Sequence, residues 1–108
     1  MVRDVTVKTK RRLGGHFSIS GGLYKAVESV SQKGGNAVQI FSSSPRMWLA
    51  TLPKEEEVEK FKQSCKKYDV EPVFIHAKYL VNLASDKQEL IDKSIKSLEF
   101  DLKVAEMI

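Results

Sequence analysis

Two imidazoles carry most of the titratable chemistry that this sequence offers near neutral pH. They are His16 and His76, the only histidines in 108 residues. His76 closes Val73-Phe74-Ile75, three apolar residues directly after Pro72 that read as a short buried strand. The chain then enters Ala77-Lys78-Tyr79-Leu80, a basic, aromatic and aliphatic loop. A polar side chain at the carboxyl end of a buried strand occupies the place where α/β proteins put their chemistry. A zinc centre, however, draws three or four ligands from His, Cys, Asp and Glu. No HExxH, CxxC, Walker loop or GxGxxG is present to supply them. On chemistry alone, His76 reads as a strand-end histidine satisfied by its surroundings. Cys65, the lone cysteine, falls in an apolar helical stripe and reads as a core residue, not a nucleophile.

The elements that would position these groups alternate. Leu13 to Ser18 reads as a first strand whose glycines admit close approach. Ser20-Gly21-Gly22 opens a helix with Leu23, Ala26, Val27 and Val30 on one stripe, Ser20 as its cap and Gly34-Gly35 as its stop. Ala37 to Phe41 is the second strand. Ser42 to Pro53 is a long loop of the kind that tends to be functional, and it sets Arg46 beside the single tryptophan, Trp48. A second helix has Pro53 in its first turn, then Glu55, Glu56 and Glu57, and buries Val58, Phe61, Cys65 and Tyr68. After the third strand, Asp86 with Glu89 resembles a capping box. It leads a long helix whose stripe is Ile91, Ile95, Leu98, Leu102 and Ala105. That helix meets no glycine or proline before Met107, which suggests that the sequence ends early. Three strand–helix units with crossover-length connections make parallel pairing the expectation. They are too few to close a (β/α)8 barrel, and would be three-eighths of one or a small open sandwich.

Composition sets the remaining bounds. With 42% hydrophobic and 30% charged residues, the chain is globular in character. Its length allows one small domain, and no apolar run reaches membrane-spanning length. The start lacks the apolar segment of a secretion signal, and one cysteine excludes an internal disulfide. A net charge of +4 permits phosphate binding without requiring it. Residues 1–12, with Arg3, Lys8, Lys10, Arg11 and Arg12, read as a solvated basic tail, with a DNA-touching arm as the lesser alternative; the domain is placed at 13–108.

Three segments together resemble the endonuclease IV (deoxyribonuclease IV) family. They are Gly14-Gly15-His16-Phe17-Ser18-Ile19-Ser20-Gly21-Gly22-Leu23, then Ala37 to Phe41 with Pro45-Arg46-Met47-Trp48, then Ile75 to Ala84. The resemblance runs from about Leu13 to the end. It implies an α/β chain forming the first three βα units of an incomplete TIM barrel, xylose-isomerase-like. It implies an apurinic/apyrimidinic endonuclease of base excision repair, using three zinc ions to hydrolyse the phosphodiester 5′ to an abasic site. The expected partner is damaged double-stranded DNA, with no membrane, in a cytoplasmic or nucleoid-associated monomer. By the same resemblance His76 matches the first zinc-ligand histidine. Arg46 matches an arginine inserted into the base stack, and Tyr79 and Leu80 a pair wedged into the minor groove. His16 matches a histidine lining the active site. Met47 stands where many members carry a polar residue. With one matched ligand, the chain is expected to hold no three-metal centre, to be inactive alone and to be prone to aggregation through open sheet edges. Two other functions keep to the same residues: a TIM-barrel sugar isomerase or epimerase, and a non-catalytic basic DNA-binding module.

Overall fold

The computed structural model describes residues 11–108. The basic segment read over 1–12 therefore lies mostly outside the described residues. Of its two described members, Arg12 is tied to the domain: Nη1 donates to the Asp69 carbonyl at 2.8 Å and Nη2 to Asp69 Oδ1 at 3.1 Å. Asp69 accepts the guanidinium from a left-handed turn, φ 53°.

Three short strands form one parallel sheet: β1 (Gly14–His16), β2 (Ala37–Phe41) and β3 (Val73–His76), in spatial order β1-β2-β3. The first strand is shorter than the Leu13-to-Ser18 reading. Pairing starts at Gly14↔Ala37 and ends at His16↔Gln39. Gly14 is required there, because a Cβ would overlap the Ala37 carbonyl oxygen. Asn36 fixes the entry to β1: its Oδ1 accepts from Leu13 N at 2.8 Å and its backbone N donates to the Leu13 carbonyl at 2.8 Å. On the other side of β2, Gln39 pairs with Phe74 and Phe41 with His76.

Helices α1 (Leu23–Gln32), α2 (Glu55–Tyr68) and α3 (Gln88–Met107) alternate with the strands. The α1 stripe is buried as its spacing requires, and Leu23, Ala26, Val27 and Val30 meet Val38 and Ile40 of β2 and Phe61 of α2 in one core. Removing a Phe61-sized side chain from water is worth roughly 1.5–3 kcal/mol, and several such residues hold the helices on the sheet. Within α2, Val58 and Phe61 are buried while Cys65 and Tyr68 pack partly against the same core.

The caps differ from the expectation. Ser20 does not cap α1: Gly22 stands at the N-cap with φ 137°, and Glu57 Oε1 of α2 accepts from Leu23 N at 3.1 Å. Pro53 precedes α2 by two positions, with Lys54 as the N-cap. Asp86 forms no capping box, because Lys87 is the N-cap of α3 and its amide donates to Ser85 Oγ at 3.1 Å.

Two burial expectations are also corrected. The β3 strand is buried on one face only. Val73 and Ile75 pack against the core, whereas Phe74 is 56% exposed. Successive strand side chains point to opposite faces, and helices cover one face of this open sheet. In α3 the buried residues are Ser94, Ser97, Asp101 and Val104, while Ile95 is 45% and Leu102 70% exposed.

Candidate functional site

The residues that can do chemistry gather at the carboxyl ends of the strands. His16 ends β1, Phe41 ends β2 and His76 ends β3. Parallel register brings them side by side. The His16 and Phe41 rings lie 4.6 Å apart between centroids, Phe41 and His76 5.1 Å, and His16 and His76 6.1 Å. Tyr79, from the loop after β3, adds its ring edge-on to Phe41 at 5.1 Å. The tilted and edge-on angles suit aromatic quadrupoles.

Each imidazole is oriented by a neighbour. His76 Nδ1 donates to the Ala77 carbonyl at 2.6 Å, which puts the neutral ring's lone pair on Nε2. A backbone carbonyl on the far nitrogen is the orienting contact usual for a metal-binding histidine. Gln39 Nε2 donates to His16 Nδ1 at 3.0 Å, so the neutral His16 ring carries its proton on Nε2. Loss of solvent around the ring, followed by repulsion from His76, lowers the His16 pKa from its ordinary value. His16 thus presents an N–H donor, whereas His76 presents a lone pair.

A metal site does not close on these donors. Among the described residues no group of three His, Cys, Asp or Glu side chains could hold a metal ion. The residues present offer one oriented lone pair, at His76, and do not fit a complete zinc centre. We assign no hydrolytic step to them.

The long Ser42-to-Pro53 loop is irregular throughout, as expected. Arg46 is exposed on it and Trp48 half-buried. The Arg46 segment is joined to the β3 loop on both sides: Tyr79 N donates to the Pro45 carbonyl at 3.1 Å, and Lys78 Nζ to the Met47 carbonyl at 2.6 Å. Tyr79 is 62% exposed, and Leu80 beside it is half-buried. His16, His76 and Tyr79 therefore share one cluster, while Arg46 stands on the loop clamped to it.

Sequence reasoning missed three residues of this region. Phe41 is the ring that His16, His76 and Tyr79 all touch; its place at a strand end was the available signal. Gln39 sets the His16 tautomer, and strand register alone reveals it. Lys78 is 4% exposed, and no local pattern marks a lysine as buried.

Parallel strands, helices in alternation and a strand-end cluster define a βα-repeat unit of the TIM-barrel type, with an open sheet. No family model matches the sequence. Proteins named probable endonuclease 4 do match it. The one from Halothermothrix orenii is 42% identical over 97 residues, covering 90% of this chain and 35% of the relative. The one from Thermosipho africanus is 41% identical over 95 residues, covering 86% and 34%. The crystal structure of endonuclease IV from Thermus thermophilus superposes with a TM-score of 0.83 at 40% identity, over 90% of this chain and 36% of that one. The chain is a homologue of endonuclease IV over about nine-tenths of its own length. It spans about a third of the length of the curated relatives it matches.

Proposed function

We propose that this chain carries the damage-facing rim and one metal-ligand position of a zinc-dependent apurinic/apyrimidinic endonuclease, one that hydrolyses the phosphodiester 5′ to an abasic site in double-stranded DNA. The observation that supports this best is the strand-end cluster of His16, Phe41, His76 and Tyr79, held against the Arg46 loop in a chain about 40% identical to endonuclease IV. His76 is the zinc ligand, through Nε2. Arg46 enters the base stack, and Tyr79 with Leu80 fills the minor-groove side of the gap left by the missing base. His16 lines the site as a hydrogen-bond donor to a phosphate oxygen. Among the described residues no group of three donors forms around His76, and on this reading the 108-residue chain alone does not cleave.

The test is fluorescence anisotropy on a short duplex bearing a tetrahydrofuran abasic analogue and on its undamaged twin, at one fixed salt concentration. We expect at least about tenfold tighter binding of the damaged duplex, and no nicking with zinc added. Equal binding of the two duplexes overturns the reading in favour of a non-specific basic module. Chelator-sensitive cleavage by this chain overturns the inactivity.

A further inference from the structure

The mechanism of recognition leaves Lys78 unused, yet it is the most unusual side chain near the site. It lies between His76 and Tyr79 in the β3 loop but turns inward, 4% exposed. A buried ammonium is costly unless it is hydrogen-bonded or paired. Its bond goes to the Met47 carbonyl, at 2.6 Å. One residue along, Tyr79 N donates to the Pro45 carbonyl at 3.1 Å. The two bonds grip the chain on either side of Arg46, and both come from the loop that displays Tyr79. Lys78 lines a cleft of about 340 Å³ together with Trp48, Phe100 and two further lysines, Lys93 and Lys96.

The grip extends to α3. Asp101, 7% exposed, accepts from Ser42 Oγ at 2.5 Å, and Ser42 directly follows β2. Burial lowers the Lys78 pKa from its ordinary value, and the Asp101 charge offsets only part of that. Ser42 and Asp101 therefore tie the start of the Arg46 loop to α3, while Lys78 and Met47 tie its middle to the β3 loop.

We infer that Lys78 is a positioning residue: its ammonium clamps the Arg46 loop to the Tyr79 loop, so that the arginine and the tyrosine are presented to DNA as one rigid pair. Lys78 does not touch DNA in this arrangement. The clamp is a statement about the protein alone, whereas its consequence for recognition rests on the function proposed above.

Lys78→Met keeps the apolar stem and removes the donor. Trypsin cuts after exposed Arg46 only when the surrounding backbone can leave its bonds, so cleavage there reads the clamp without DNA. We expect cleavage after Arg46 to accelerate by about tenfold in Lys78→Met, from the loss of one charged-donor hydrogen bond. Cleavage after Lys87 in the same sample should stay unchanged, and Lys78→Arg, which can still donate to the Met47 carbonyl, should restore protection. An unchanged Arg46 rate in a folded Lys78→Met chain overturns the inference. If that variant does not fold, amide exchange of the unmodified chain decides instead. Tyr79 N should exchange as slowly as Val38 N in the sheet, and exchange at the free-peptide rate overturns the clamp. In the binding assay, Lys78→Met should lose about tenfold of the preference for the tetrahydrofuran duplex. A retained preference overturns the positioning role. Absence of any preference in the unmodified chain, with the proteolysis result intact, leaves the clamp standing and removes the DNA reading.

Discussion

At the scale of single residues, hydrogen-bond partners decide what each titratable group can do. The two histidines are the same residue type at equivalent strand ends, yet Ala77 leaves His76 a lone pair and Gln39 leaves His16 a proton. Cys65 shows the opposite outcome, a reactive group made inert. Partial burial against the core, reinforced by the Glu71 charge, raises its thiol from 9.0 to about 11. Two pH units of displacement leave about a hundredfold less thiolate near pH 8 than a free cysteine has. Iodoacetamide should therefore alkylate Cys65 in the folded chain at least about a hundredfold more slowly than in urea, followed by mass spectrometry. The sign for stability follows from the raised value. The folded state favours the protonated thiol, so this contribution is present below the unfolded pKa of 9.0 and fades as pH climbs towards 11. A folded chain alkylated as fast as the unfolded one would contradict the core assignment.

At the scale of elements, features set by local pattern are legible in the sequence, and features set by a distant partner are not. The α1 stripe was legible because its 3.6-residue period repeats Leu23, Ala26, Val27 and Val30 without interruption, and those four are buried. The β2 bounds and the long Arg46 loop were legible for the same local reasons. The α3 stripe was not. Periodicity finds hydrophobic residues, but this helix meets polar strand-end loops: Ser94 Oγ accepts from Asn82 N at 2.8 Å and Asp101 Oδ1 from Ser42 Oγ. Those partners pull its small polar face inward and leave Ile95 and Leu102 outside. The caps were illegible for the same reason. Ser20 and Asp86 are favourable cap types, but the acceptor that α1 uses is Glu57, 34 positions away. A carboxylate on free amides at the positive helix end contributes by hydrogen bond and by charge. Glu57→Ala should lower stability by about 0.5–2 kcal/mol in urea titrations, and Glu57→Gln, which keeps an acceptor oxygen but not the charge, by less. Equal losses would show that charge, not the bond, holds α1.

At the scale of the whole molecule, the sheet has a covered face and a bare one. Val38 and Ile40 point into the helices, while Phe74 across the register from Gln39 is more than half exposed. An exposed aromatic on an open parallel sheet contributes little to folding but offers a surface for association. Phe74→Thr exchanges an aromatic strand former for a β-branched one. It should shift stability by no more than about 0.5 kcal/mol, and sedimentation velocity should show less self-association than in the unmodified chain. Loss of cooperative folding in this variant would mean that the bare face is covered within the chain after all.

The same bare face bears on whether the strand-end cluster is a working part. A TM-score of 0.83 at 40% identity motivates a chimera in which residues 13–108 of this chain replace the matching segment of Thermus thermophilus endonuclease IV. Strand register travels with the segment, and the chimera tests whether its bare face, with His16, Gln39, Phe41, Phe74 and His76, works in that setting. If His76 Nε2 is a metal donor, the chimera should nick tetrahydrofuran-containing duplex in a chelator-sensitive way. His76→Ala within it should cut the rate by at least about a hundredfold, since even weaker perturbations around a bound metal cost about tenfold to a hundredfold. The metal content of the purified chimera, measured by atomic emission, should fall in parallel. Loss of rate with full metal content would reassign His76 to contact with DNA. An undiminished rate would remove it from the site and leave the aromatic cluster as packing between strand ends.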